Sequence, residues 1–291
     1  MSLRLSTILV LASFSAAAPA TFGKWIRLAT ADFELYTDEP QTIAEETIRQ
    51  CERLRGFYEQ LPEYRQQKWS LVRLVRFASA EQFAPYKSTG WEAGHYESNG
   101  NRDWIAIGPE SSPARLAAVL AHEYHHLVAA RAGMRLPPWL KEGLAEFFSV
   151  LRPASNGIEA GVPLPARLET LHRREWLPID ALLTRGEETF HAMQSGDADI
   201  FYAESWLLTH LLAGAPPYAA AFPKFLALID RGMSARDTFQ SVFGRSPEAV
   251  EIDLREHFNQ GASSSRVFPN PPEPGPRPSS QPPPPPVSKS R

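Results

Sequence analysis

Cysteine is almost missing from this 291-residue chain, with Cys51 as its single example. No intramolecular disulfide can form, and a site built on several thiolates is excluded. Any metal must be held by histidines and carboxylates. Cys51 falls between Ile48 and Leu54 in a helical pattern and reads as a small core residue. An excess of charge is missing too: 30 Lys and Arg stand against 33 Asp and Glu, a net charge of -3. That is too little to steer the chain toward nucleic acid or an anionic membrane surface. No internal repeat is present, and no apolar run is long enough to span a bilayer comfortably. Proline is abundant, with 27 residues, many of them near the C-terminus.

At the N-terminus, Arg4 precedes an apolar stretch from Leu5 to Phe14 and then small residues from Ser15 to Ala20. This order of positive, apolar and small residues is that of a secretory signal peptide. Cleavage is expected after Ala20, which leaves Ala18 and Ala20 at the small-residue positions. The expected product is exported, periplasmic or secreted, without a stable membrane span. From Gly261 to Arg291 the chain is rich in Ser and Pro and contains the run Pro282 to Pro286. It reads as a disordered or polyproline-like tail, whose one specific use would be a proline-recognising partner.

Between these ends lies enough apolar sequence for a sizeable core. Trp25 to Leu28 and Phe33 to Thr37 alternate apolar with polar residues, as half-buried strands do. Residues 40–60 repeat Ile43, Thr47, Ile48, Cys51, Leu54 and Tyr58 at helical spacing until Pro62. Trp69 to Phe77 is a strand candidate and Glu81 to Tyr86 a short helix. Gly90 to Gly108 reads as a hairpin turning at Asn99-Gly100-Asn101. From Ser112 the period lengthens to 3.6. Ser112 is a natural N-cap, Pro113 a good first helical residue, and Gly133 a stop. A second helix is expected from Pro137-Pro138 through Leu151. Residues 152–166 read as irregular, and further helices follow at 201–212, 218–230, 235–243 and 248–258. The fold class is therefore α+β. A small sheet with helices occupies about 24–110, two helices occupy 112–151, and a helical part occupies about 166–260.

The helix beginning at Ser112 carries His122-Glu123-Tyr124-His125-His126. Residues four apart share a helix face, so His122 and His126 can reach one ion from a single rigid element. Glu123, displaced around the helix, can stand beside that ion and take a proton from water. His125 points roughly a quarter-turn from His126, which suits the surface or the support of the site. His95, His191 and His210 are isolated and read as structural. A catalytic zinc site needs a third protein ligand and an open position. The second helix offers Glu142 and Glu146, one turn apart, and spacing alone leaves both open.

His122-Glu123-Tyr124-His125-His126 and Trp139-Leu140-Lys141-Glu142-Gly143-Leu144-Ala145-Glu146 together resemble the paired motifs of glutamate-type zincins, the gluzincins. They are most similar to the peptidase MA-like proteins, relatives of the M1 aminopeptidases and thermolysin. The resemblance implies a zincin-like fold over about Trp25 to Gln260, Zn2+ as cofactor, and a peptide or protein substrate. It also implies Glu142 as third ligand and Glu146 as the acid that orients a ligand histidine. Fifteen residues (127–141) separate His126 from Glu142, fewer than in the named enzymes, whereas Glu146 would match thermolysin by count. The Trp-Leu-Lys-Glu-Gly context favours Glu142.

By the same resemblance, Tyr202 would donate to a developing oxyanion, although a tyrosine in that helix also suits a core boundary. Asp103 to Gly108 resembles the edge strand along which zincins align an extended peptide, with an interior strand as the other reading. The implied chemistry is metal-assisted amide hydrolysis with Glu123 as general base. No acidic pair for a substrate amino terminus is recognisable, so aminopeptidase activity is not implied. Two other functions fit the residues: a non-enzymatic envelope protein with a structural zinc clip, and a zinc hydrolase of non-peptide substrates.

Overall fold

The computed structural model describes residues 25–64, 70–87, 90, 92–99, 102–271 and 279–281. The expected signal peptide, Trp69, the turn residues Gly100 and Asn101, and the run Pro282 to Pro286 lie outside them. The chain opens with β1 (Ile26–Ala29), β2 (Phe33–Thr37), α1 (Gln41–Glu59), β3 (Val72–Arg76), α2 (Ala80–Phe83), β4 (Gly94–Ser98) and β5 (Asp103–Ile107). Next come α3 (Pro113–Arg131), α4 (Pro138–Phe148), β6 (Arg152–Ala154) and β7 (Gly157–Ala160). A helical run follows: α5 (Pro165–Arg173), α6 (Ile179–Thr184), α7 (Glu187–His191), α8 (Ser195–Gly214), α9 (Phe222–Asp230), α10 (Ala235–Phe243) and α11 (Pro247–Asn259). Two short strands, β8 (Arg266–Phe268) and β9 (Ser279–Gln281), complete it. The architecture is α+β, a small N-terminal sheet joined to a larger helical part.

The main sheet has the order β4-β5-β3-β2-β1-β9. Its centre is parallel, with Phe33 opposite Val72 and Val72 opposite Asp103. Period two decides which face each residue takes. Phe33, Leu35, Val72, Leu74, Ile105 and Ile107 join the main core, as do Ile48 and Leu54 of α1 and Leu120 and Leu127 of α3. On the opposite face Phe77, Phe83 and Ala106 form a small separate cluster with Trp25 and Val75.

Strand β5 is interior, paired to β3 on one side and antiparallel to β4 on the other. The edge is therefore β4, a correction to the edge-strand expectation for Asp103 to Gly108. The β4–β5 ladder is bounded by Gly108 N–H donating to Ala93 C=O at 3.0 Å and Asn99 N–H to Arg102 C=O at 3.2 Å. Antiparallel pairing alternates, so His95 and Glu97 bond to β5. Gly94 and Tyr96 turn their backbone groups to the open side.

Residues 152–166 are not irregular throughout, and the tail does not begin at Gly261. Strands β6, β7 and β8 form a second antiparallel sheet in which Ile158 pairs with Phe268. Ala262 is fully buried, and the Phe268 ring lies 5.4 Å from Phe57 and 6.0 Å from Phe148. Further on, β9 pairs with β1, Ser280 opposite Leu28. Average composition conceals this because a single aromatic anchors the segment. Phe268 is half-buried, so it contributes part of the roughly 1.5–3 kcal/mol that full burial of a Phe supplies. A chain ending at Gln260 is thus expected to melt roughly 2–6 °C below the full chain. Equal melting temperatures in thermal denaturation would show that β8 contributes nothing.

Helix α8 is the hub of the helical part. Phe201, Ala203, Trp206, Leu207, Leu208 and Leu212 are all fully buried. Among the described residues, no helix is long and apolar enough to cross a membrane.

Candidate metal centre

The first site helix, α3, begins and ends where its sequence dictates. Ser112 Oγ accepts the Arg115 N–H at 3.2 Å, with Pro113 in the first turn. At the other end Gly133 has φ +71°, its N–H bonds Ala130 C=O, and Met134 N–H bonds Ala129 C=O. This left-handed cap turns the chain back toward α4. Helix α4 then buries Trp139, Leu140, Leu144 and Phe147 between α3 and α8.

This packing brings the two motifs face to face. His122 Nε2 and His126 Nε2 are 3.1 Å apart. Each lies 3.4 Å from Glu142 Oε2. These last separations are ion-pair distances without hydrogen-bond alignment, and the buried Glu142 Oε2 has no hydrogen-bond partner. His122, His126 and Glu142 form a group that could hold a metal ion, their ligand atoms all within 4.8 Å of one another. Two imidazole nitrogens and one carboxylate oxygen are the donors that suit zinc, and three of them leave a position open.

Of the two acids left open by spacing, Glu142 supplies the converging oxygen. Glu146 lies outside the group, with Oε1 3.5 Å from His122 Nδ1. Its oxygens accept from Arg167, Nε to Oε2 at 3.0 Å and Nη2 to Oε1 at 2.7 Å.

Electrostatics follow from burial and this clustering. Burial opposes charge on His122, but Glu142, Glu123 and Glu146 outweigh it and push the imidazole up to about 9. Burial likewise opposes charge on Glu142, yet His126 and His122 hold it well below the usual carboxylate range. For Glu123 burial wins over the two histidines, and its carboxyl is raised.

Glu123 is buried beside β4, in a tight contact. A Cβ on Gly94 would lie 2.6 Å from Glu123 Cγ and 2.9 Å from its Oε1. His122, His126, Glu123 and Glu142 line a cavity of about 510 Å³, walled on one side by Gly94, His95 and Tyr96. Tyr202 lines it as well, its ring 6.3 Å from that of His122. A smaller cavity of about 210 Å³ adjoins, lined by Arg115, Glu146, Arg167 and Tyr202.

His125 is fully buried, which corrects its surface reading. Its Nδ1 faces Tyr58 Oη at 3.1 Å, and its ring stacks on Phe148, so it turns away from the metal group. His210 is also structural. Its Nε2 donates to Gly161 C=O at 2.6 Å, and its Nδ1 lies 2.8 Å from His257 Nε2.

Arg167 and Gly94 escape sequence reasoning because both act across the fold, with no spacing signal near the motif. His95, read as an isolated structural histidine, lies in the cleft wall, and only knowledge of the edge strand could have placed it there. No protein-family profile matches this chain, and no curated protein matches it significantly.

Proposed function

We propose that this chain is an exported zinc-dependent peptidase with a zincin-like fold, acting on peptide or protein substrates. The observation that carries the reading is the convergence of His122 and His126 with the otherwise unpartnered Glu142 Oε2. Glu123 stands beside them in the same cleft. His122, His126 and Glu142 would hold the ion. When bound, zinc supplies Lewis acidity toward water and a carbonyl oxygen.

The remaining chemistry belongs to the chain. Glu123 accepts a proton from the attacking water and returns it to the leaving amine nitrogen. Glu146 supports His122 from the Nδ1 side. Tyr202, at the cleft wall, is the donor for the developing oxyanion. The open edge of β4 favours a peptide over a non-peptide substrate. Outward backbone groups at Gly94 and Tyr96 can pair with an extended chain, whatever its sequence. A structural zinc clip would need a fourth protein ligand, and His125, the extra histidine of the motif, faces Tyr58 through Nδ1 and lies outside the converging group.

The test is metal analysis of the mature protein followed by a peptide-library digest with and without chelator. One equivalent of zinc and chelator-sensitive cleavage are expected. Zinc-loaded protein that cleaves no peptide would eliminate the peptidase reading.

Gly94→Ala is a second test. The added methyl must displace the Glu123 side chain, and small misplacements of a reacting group cost on the order of 10²-fold in rate. Turnover is expected to fall by roughly that factor while zinc content stays at one equivalent. Wild-type turnover would show that Glu123 does not depend on this contact.

A further inference from the structure

Arg167 belongs to the first turn of α5 and is remote in sequence from both site helices. Its guanidinium grips the Glu146 carboxylate with two nitrogens, 3.0 and 2.7 Å from the two oxygens. A two-point fork fixes the plane of a carboxylate as well as its position, which a single ammonium cannot do. The carboxylate oxygen nearest Nη2, Oε1, is the one that lies 3.5 Å from His122 Nδ1. Behind the fork, the guanidinium carbon sits 5.3 Å from the centre of the Tyr202 ring. The arginine is therefore held by the Glu146 fork and the Tyr202 ring, with the Asp199 carboxylate adding a weaker attraction.

Geometry on His122 gives this arrangement a consequence. An imidazole that offers Nε2 to a metal carries its proton on Nδ1. A carboxylate next to Nδ1 favours that tautomer, and from the ion-pair distance of 3.5 Å it biases the ring's rotation. Glu146 can do this only if its own orientation is set. Its side chain could otherwise rotate about its flexible torsions into the adjoining 210 Å³ cavity that it helps to line.

We infer that Arg167 is a positioning residue of the proposed metal site, acting through Glu146 to hold His122 in its ligand orientation. The inference rests on the proposed zinc-binding function. It also means that Arg167 is committed to Glu146 and is not a docking group for a substrate carboxylate.

Zinc affinity of the folded protein tests the inference, measured by competition between the full mature chain and a chromophoric chelator. Loss of a supporting partner of a ligand histidine weakens metal binding by roughly 10–100-fold. Arg167→Met is expected to lose affinity in that range. Arg167→Lys, which keeps the charge without the fork, should lose less but still a measurable part, roughly 3–10-fold. Because Arg167 acts through Glu146, the double variant Glu146→Gln/Arg167→Met should bind zinc no more weakly than Glu146→Gln alone.

A purely structural arginine would lower the melting temperature and leave affinity unchanged. Unaltered affinity in folded Arg167→Met would overturn the inference, as would losses that add in the double variant. If Arg167→Met does not fold, Arg167→Lys decides, and wild-type affinity there overturns the inference equally. Failure of the wild-type chain itself to bind zinc would overturn the functional proposal and this inference together. Tight wild-type binding with an indifferent Arg167 removes the inference alone.

Discussion

Glu123→Gln is expected to keep its full equivalent of zinc and lose peptide hydrolysis by roughly 10²–10⁴-fold, the contribution of a positioned general base. The amide has the size and shape of the carboxyl, so the close packing against Gly94 survives the change. The residue is buried, but it lies outside the group formed by His122, His126 and Glu142. Removing its charge therefore leaves the three proposed ligand side chains in place. What disappears is the basicity that takes a proton from water, and with it the proton returned to the amine. Glu142→Gln should behave differently, because an uncharged amide in the ligand group weakens metal binding as well as turnover. Measuring zinc content beside the cleavage rate of one library-derived peptide separates the two. A Glu123→Gln protein that cleaves at the wild-type rate would remove Glu123 from the reaction. The chelator experiment could still stand, with another base.

Local determinants made half of this site readable. Ser112, Pro113 and Gly133 bracket α3 with cap chemistry that needs no tertiary information, and they frame the two histidines at helical spacing. The alternating residues of β1, β2 and β3 were equally explicit, since a strand with one buried face must repeat every second residue. Spacing could not tell Glu142 from Glu146, because both lie on one face of α4. The distinction comes from the crossing of α3 and α4 and from Arg167, which occupies Glu146 from a helix that no periodicity announced.

The sheet edge was hidden for a similar reason. A hairpin can be seen in the sequence, but which of its strands pairs onward to β3 is settled only when the sheet assembles. The three-stranded β6-β7-β8 sheet escaped because its strands are only 3–4 residues long. Its last strand sits in a Ser- and Pro-rich stretch that would ordinarily bury nothing. There, Phe268 outweighs the average.

The glycine after Glu142 has a physical cause of its own, and it yields a large expected stability effect. At Gly143, α4 crosses α8 so closely that a Cβ would meet the Ser205 carbonyl oxygen and the Thr209 hydroxyl. Helix propensity alone predicts that Gly143→Ala stabilises α4 by about 1 kcal/mol. Overpacking a tight contact opposes this by about 1–3 kcal/mol, and by more where the obstructing atom cannot rotate away. Ser205 C=O is such an atom, fixed in the backbone of a helix that is buried on nearly every side. Overpacking should therefore win: the upper end of that range less the propensity gain leaves a net loss of about 2 kcal/mol in urea denaturation of the metal-free protein.

The same displacement should reach the site, because Glu142 is the adjacent residue on α4. Moving α4 off α8 moves its carboxylate relative to His122 and His126, so zinc affinity should fall together with stability. Adding Thr209→Ala removes one of the two obstructions and should recover only part of the stability, since the Ser205 carbonyl remains. If Gly143→Ala proved as stable as the wild type or more so, the α4–α8 contact would be loose enough to admit a methyl group. The glycine would then have no packing role at the candidate metal centre.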